Sequence, residues 1–122
     1  MLDHVGLSVS NYAASLSFYK AALAPLGYEL VMEFGTIAGL GVGGKPDFWI
    51  HESDSTTPTH IAFASSNRAA VKRFYEAAIA AGGKDSGAPG VREQYHPNYY
   101  GAFVLDPSGH NIEAVCYSPE ET

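Results

Sequence analysis

Residues 2–9 alternate between apolar and small or polar side chains, with Val5, Leu7 and Val9 on one strand face and His4, Gly6 and Ser8 on the other. Successive strand side chains point to opposite sides, so this pattern predicts a half-buried strand. Residues 60–64 repeat it, with Ile61 and Phe63 set against His60, Ala62 and Ala64. Each strand is followed by a Ser-Asn pair, Ser10-Asn11 and Ser66-Asn67, whose side-chain oxygens can accept an orphan amide at a helix start. Helical spacing follows in Tyr12, Leu16, Tyr19 and Leu23, and again in Val71, Phe74, Ala78 and Ala81. Gly27 and Gly82-Gly83 stop the two helices, since glycine tolerates the left-handed conformation. Strand-like segments then fill each half: 28–34, 36–42 and 47–51 in the first, 91–95, 99–106 and 111–117 in the second. The last two are separated by Asp106-Pro107-Ser108-Gly109, with proline and glycine placed as a tight turn prefers.

The two halves are copies of one another. His4 superposes on His60 at an offset of 56 residues, and the register holds without a gap through Gly27 over Gly83. In that register Ser10-Asn11 meets Ser66-Asn67 and Phe18-Tyr19 meets Phe74-Tyr75. Alanine matches follow from helical composition alone, but the His, Ser-Asn and Phe-Tyr matches do not. The chain is therefore expected to be an α+β protein, one domain over residues 1–122 built from two βαβββ modules, about 1–56 and 57–122. Together they would form an eight-stranded mixed sheet, with helices on its apolar face and a concave cavity on the other. That other face carries a histidine followed by small residues in each module, which leaves room for a ligand.

Composition narrows the partners. Seven Lys and Arg are scattered along a chain of net charge −6, so the basic stripe that nucleic acid requires is absent. No run approaches the roughly 18 apolar residues of a membrane span. The chain enters its first strand directly, so no secretory leader is expected. Cys116 is the single cysteine, which excludes an internal disulfide and agrees with a reducing, cytoplasmic setting. A small, neutral or weakly charged molecule is the expected partner.

His4 and His60 hold equivalent places, so an approximate two-fold axis would bring them together. Glu113, in Asn111-Ile-Glu-Ala-Val-Cys, has the parity to share their face. Two imidazoles and a carboxylate suit a divalent transition metal with open positions for substrate oxygens. His110, in the turn Ser108-Gly-His-Asn, is expected to be exposed rather than a ligand. Cys116, on the face opposite Glu113, is expected to be a buried structural thiol. The glycines at 39, 41, 43 and 44 lack the strand-to-helix setting of a phosphate loop.

Leu2-Asp-His-Val-Gly-Leu, Ser17-Phe-Tyr-Lys, His60-Ile-Ala-Phe and Asp106-Pro-Ser-Gly-His-Asn-Ile-Glu resemble the vicinal-oxygen-chelate superfamily, which includes glyoxalases, bleomycin-resistance proteins and extradiol dioxygenases. The resemblance covers essentially the whole chain. It implies metal ligands at His4, His60 and Glu113, a divalent ion such as iron, manganese, nickel or zinc, and chelation of a substrate through adjacent oxygens. It also implies a homodimer, since members commonly dimerise and sometimes complete sites across the interface. Glyoxalase I enzymes usually place a further glutamate in the last strand of the first module. Here Trp49 or His51 takes that slot, and parity cannot choose between them. On the glyoxalase-like reading the chain is a metal-dependent lyase or isomerase. An extradiol-type oxygenase would additionally use His96 and a tyrosine such as Tyr100 beside the metal. A metal-free binding protein of the bleomycin-resistance kind would use aromatic surface instead. Glu113, His96 and Tyr100 are the residues expected to carry chemistry, and Trp49, His51, Tyr95, Tyr99 and Arg92 are expected to line the substrate pocket.

Overall fold

The computed structural model describes residues 1–119 of the chain. The first module runs β1 (Val5–Val9), α1 (Tyr12–Leu23), a short 3-10 turn, β2 (Glu29–Phe34), β3 (Ile37–Val42) and β4 (Lys45–Glu52). The second runs β5 (His60–Ala64), α2 (Arg68–Ala80), β6 (Lys84–Val91), β7 (Tyr100–Leu105) and β8 (Asn111–Cys116). Both helices start where the Ser-Asn pairs predict. Asn11 accepts from the Ala14 amide at 3.0 Å and Asn67 from the Ala70 amide at 2.8 Å, each relieving one of the unpaired first-turn donors.

The eight strands are hydrogen-bonded as two four-stranded sheets, ordered β1-β4-β3-β2 and β5-β8-β7-β6. Each is mixed. β1 runs parallel to β4 and β5 parallel to β8, while the remaining neighbours are antiparallel. The glycines 43 and 44, with φ of 66° and 79°, close the β3–β4 hairpin, where both turn residues need the left-handed region. One segment departs from expectation: the sixth strand is Lys84–Val91, not residues 91–95. Gly87, Pro89 and Gly90 disguise it, and it survives because it is a sheet edge, where proline costs no ladder bond. Residues 92–99 instead form a loop closed by Arg92 N–H on the Tyr99 carbonyl at 2.7 Å.

A single core joins the modules. Leu7, Val9, Leu40, Phe48 and Ile50 from the first sheet and Phe63, Val104, Ile112 and Ala114 from the second pack with Phe18, Tyr19, Val71 and Phe74 of the helices. Phe48 and Phe63 meet edge to face across the junction, 5.1 Å between ring centroids. Polar bonds tie the same junction. The Tyr19 hydroxyl donates to Asp106 Oδ2 at 2.5 Å, and Asp106 Oδ1 accepts from the amides of Ser108 and His110.

His110 is not exposed as expected but 1% accessible. Its Nδ1 accepts from the Thr59 amide at 3.0 Å, and its Nε2 donates to the Ser8 carbonyl at 2.7 Å. Both partners are main-chain groups remote in sequence. The turn thus pins the end of β1 to the start of β5. No described helix is long and apolar enough to cross a membrane.

Candidate metal and substrate site

Register decides which side chains share the open face of the second sheet. Ala62 pairs with Glu113, and Glu113 pairs with Phe103, so these three project to the same side with His60 at the strand start. Glu113 is 2% exposed and the His60 side chain 50%. Glu113 Oε1 lies 3.0 Å from His60 Nε2, and its Oε2 accepts a hydrogen bond from the Tyr99 hydroxyl. His60 Nδ1 donates to the Asn111 carbonyl at 3.0 Å. The imidazole also stacks on Phe103, with centroids 6.1 Å apart and planes 26° from parallel. His60, Tyr95, Tyr99, Phe103 and Glu113 enclose a pocket of about 360 Å³.

A carbonyl carries no proton, so His60 Nδ1 must supply the one shared with Asn111. A neutral ring then presents a bare lone pair at Nε2, facing an acceptor-only carboxylate at 3.0 Å. Two acceptors at that distance repel, and a proton shared between them or a metal ion relieves the contact.

His4 does not join them. It precedes β1, with its side chain 58% exposed and its Nδ1 donating to Asp3 at 2.8 Å. That contact and Lys45 hold the Asp3 carboxyl down at about 2. Because His110 links Ser8 to Thr59, the far end of β1, not its beginning, lies beside His60. Ser8 is four residues from His4, about 13 Å at the strand rise. The two histidines therefore line opposite ends of a cleft of about 490 Å³ between β1 and β5. The expected convergence of His4 with His60 and Glu113 does not occur within one chain. Among the described residues no three His, Cys, Asp or Glu side chains converge to hold a metal ion.

The slot mirroring Glu113 is resolved by pairing. Glu113 stands opposite Ala62, whose repeat equivalent is Gly6, and Gly6 pairs with Trp49. Trp49 therefore takes it, and its indole lies over Gly39, where an added Cβ would come within 2.8 Å of the ring. His51 pairs with Ser8 two residues along and meets its hydroxyl at 3.2 Å. Both belong to the open face of the first sheet, apart from the His60 pocket.

Tyr100 is a correction. It pairs with Cys116 on the core face and is 8% exposed, with the Arg68 guanidinium 4.9 Å over its ring. Phe103 stands opposite Glu113, so alternation along β7 turns Tyr100 to the core and leaves Tyr99, not Tyr100, on the side of the carboxylate. His96 also stays away from Glu113: its Nδ1 accepts from the Asn98 amide, and its ring packs on Tyr117. Arg92 stands outside the pocket, its guanidinium 5.4 Å from the Phe103 ring centroid and bonded to the Ala88 carbonyl. Tyr95 and Tyr99 border the cavity beside His60 and Glu113. Cys116 is buried on the core side, as its parity predicts.

Burial, then the adjoining carboxylate, raises the Tyr99 phenol well above its ordinary value, and the same causes act on Tyr28 beside Asp47 and Tyr19 beside Asp106. A raised folded-state value means that tyrosines of the unfolded chain ionise first, near pH 10. Stability from these groups is complete below that pH and is lost as pH climbs through the folded values. Thermal melts from pH 8 to pH 12 are expected to be flat up to about pH 10 and to fall steeply beyond it. A melting temperature that holds or rises above pH 10 would contradict the assignment.

Comparison with known proteins places this geometry. In structure the chain is similar to a glyoxalase/bleomycin resistance protein from Albidiferax ferrireducens, with TM-score 0.82, 25% identity, and 98% of this chain and 99% of that one covered. A glyoxalase/bleomycin resistance protein/dioxygenase family enzyme from Burkholderia phytofirmans superposes with TM-score 0.74 at 19% identity, over 95% and 98% of the two chains. A glyoxalase I mutant from Zea mays gives TM-score 0.72 at 23% identity, covering 93% of this chain and 46% of that one. Among curated proteins no sequence relative matches. The family model of the Glyoxalase/Bleomycin resistance protein/Dioxygenase superfamily matches residues 1–114, and with the paired modules and their shared register, the chain belongs to that superfamily.

Proposed function

We propose that the chain is a glyoxalase-like, metal-dependent lyase or isomerase for a small oxygenated substrate, and that it works as a cytoplasmic homodimer. The observation that carries the reading is the His60–Glu113 contact, in which an imidazole committed at Nδ1 and a buried carboxylate face each other at 3.0 Å. A neutral imidazole nitrogen and a carboxylate oxygen suit iron, manganese, nickel or zinc. His60 and Glu113 would hold the ion, which when bound supplies a positive charge to stabilise an oxyanion developing on the substrate. Tyr95, Tyr99 and Phe103 would enclose the substrate and exclude water.

The third ligand on this reading is His4 of a second copy. His4 is exposed at the rim of the first sheet, whose open face also exposes Met32, Phe34 and Ile37 beside Trp49. Laying that face over the second sheet of a partner buries apolar surface and is self-complementary under a two-fold axis. Each dimer then has two equivalent sites.

The test is complementation, read as metal content by elemental mass spectrometry. His4→Ala and His60→Ala homodimers are each expected to lose the metal. A mixture refolded together is expected to regain up to half a site per chain in mixed dimers, because one site there has both histidines. No metal in the parent protein after reconstitution with each of the four ions would overturn the enzymatic reading. The metal-free, bleomycin-resistance-like reading would then stand. It is favoured by one observation, the indole of Trp49 where the symmetric position carries a carboxylate.

A further inference from the structure

The geometry points to Tyr99 as the positioning residue of Glu113: its phenol holds one carboxylate oxygen so that the other is presented to His60 and to whatever cation joins them. The inference rests on the metal-binding reading above, and extends it to a residue that would touch no metal. Glu113 has two oxygens with separate duties, Oε2 accepting from Tyr99 and Oε1 facing His60 Nε2. A buried carboxylate held on one side only could rotate about its last torsion, which is broad for glutamate. The phenol removes that freedom.

The surroundings are shaped for this contact. Gly101 lies beside it, and a Cβ there would stand 3.1 Å from Glu113 Oε2 and 3.2 Å from Tyr99 Cε1. A side chain at 101 would press on both partners and require them to give by a few tenths of an ångström. The Tyr99 ring is itself fixed, with Tyr95 at 5.0 Å and Tyr117 edge-on at 5.3 Å between centroids. Its backbone is fixed too: the Tyr99 carbonyl accepts from Arg92 N–H at 2.7 Å and its amide donates to His96 at 3.0 Å. Outer-shell partners of this kind orient a ligand and tune the site.

The experiment compares the parent protein with Tyr99→Phe, Gly101→Ala and Tyr117→Phe, the last keeping the Tyr99–Glu113 bond. Manganese affinity by calorimetry is expected to fall about 10–100-fold in the first two and to stay within twofold in Tyr117→Phe. The metal-free proteins are compared by infrared spectroscopy, with the Glu113 carboxylate stretch assigned from the Glu113→Gln difference spectrum. That band is expected to move in Tyr99→Phe and Gly101→Ala alone. Should Tyr99→Phe fail to fold, Gly101→Ala decides by the same two readouts. Unchanged affinity together with an unmoved band would overturn the positioning role. A parent that binds no manganese or other tested ion would sink the metal reading, while the infrared band still decides for or against Tyr99.

Discussion

Asp106→Ala is expected to be the most damaging single substitution to stability, costing about 4 kcal/mol and lowering the melting temperature by on the order of 12 °C. Asp106 is 5% exposed and accepts three hydrogen bonds, from the Tyr19 hydroxyl and from the amides of Ser108 and His110. A bond to a charged acceptor contributes roughly 1.5 kcal/mol or more, and donors left buried without a partner add their own penalty. The damage also spreads. The His110 amide is one of the bonds lost, and His110 is the side chain that joins Ser8 to Thr59. Asp106→Asn can keep an oxygen for the two amides while its amide group faces the Tyr19 oxygen, so it should recover most of the loss. Thermal and urea unfolding of the two variants would check this, and an Asp106→Ala melting temperature within about 3 °C of the parent would refute the role of the junction.

Glu113→Gln is expected to separate folding from function. The glutamine oxygen can still accept from Tyr99, and its amide can donate to the lone pair of His60 Nε2, so every polar group at the site has a partner without any cation. The variant should therefore melt at or slightly above the parent temperature in the absence of metal. Replacing a charged ligand by a neutral one should cost metal affinity more than loss of an outer partner does, beyond the roughly 10–100-fold expected there. Calorimetric titration with manganese and zinc, beside a metal-free melt, gives both readouts. Retained affinity would remove Glu113 from the ligand set. A large drop in the metal-free melting temperature would mean that the contact with His60, and not an ion-binding function, is what the carboxylate serves.

Much of this was legible along the chain because it depends on local chemistry. The alternation in residues 2–9 and 60–64, the Ser-Asn caps and the stopping glycines are short-range signals, and the 56-residue register in the sequence exposes the duplication. Parity alone put His60 and Glu113 on one face and Cys116 on the other. Parity also marks the limit of that reasoning, because a slip of two residues leaves every face unchanged. Whether Trp49 or His51 mirrors Glu113 therefore waited on the pairing of Gly6 with Trp49. The pairing of Phe103 with Glu113 and of Tyr100 with Cys116 likewise sends Tyr100 into the core and leaves Tyr99 at the carboxylate.

What the tertiary structure alone decided is how the two copies sit together. The sequence by itself determined two similar modules, each with a histidine opening its first strand, and a two-fold repeat suggests that those histidines meet. The junction separates them instead, because the buried His110 pins the end of β1, not its start, to the beginning of β5. Its partners lie 51 and 102 residues away and are main-chain groups, which no side-chain pattern announces. Local propensity and periodicity fix which face a residue occupies. Only long-range packing fixes which ends of two faces come together, and a site built from both copies of a repeat depends on the second of these.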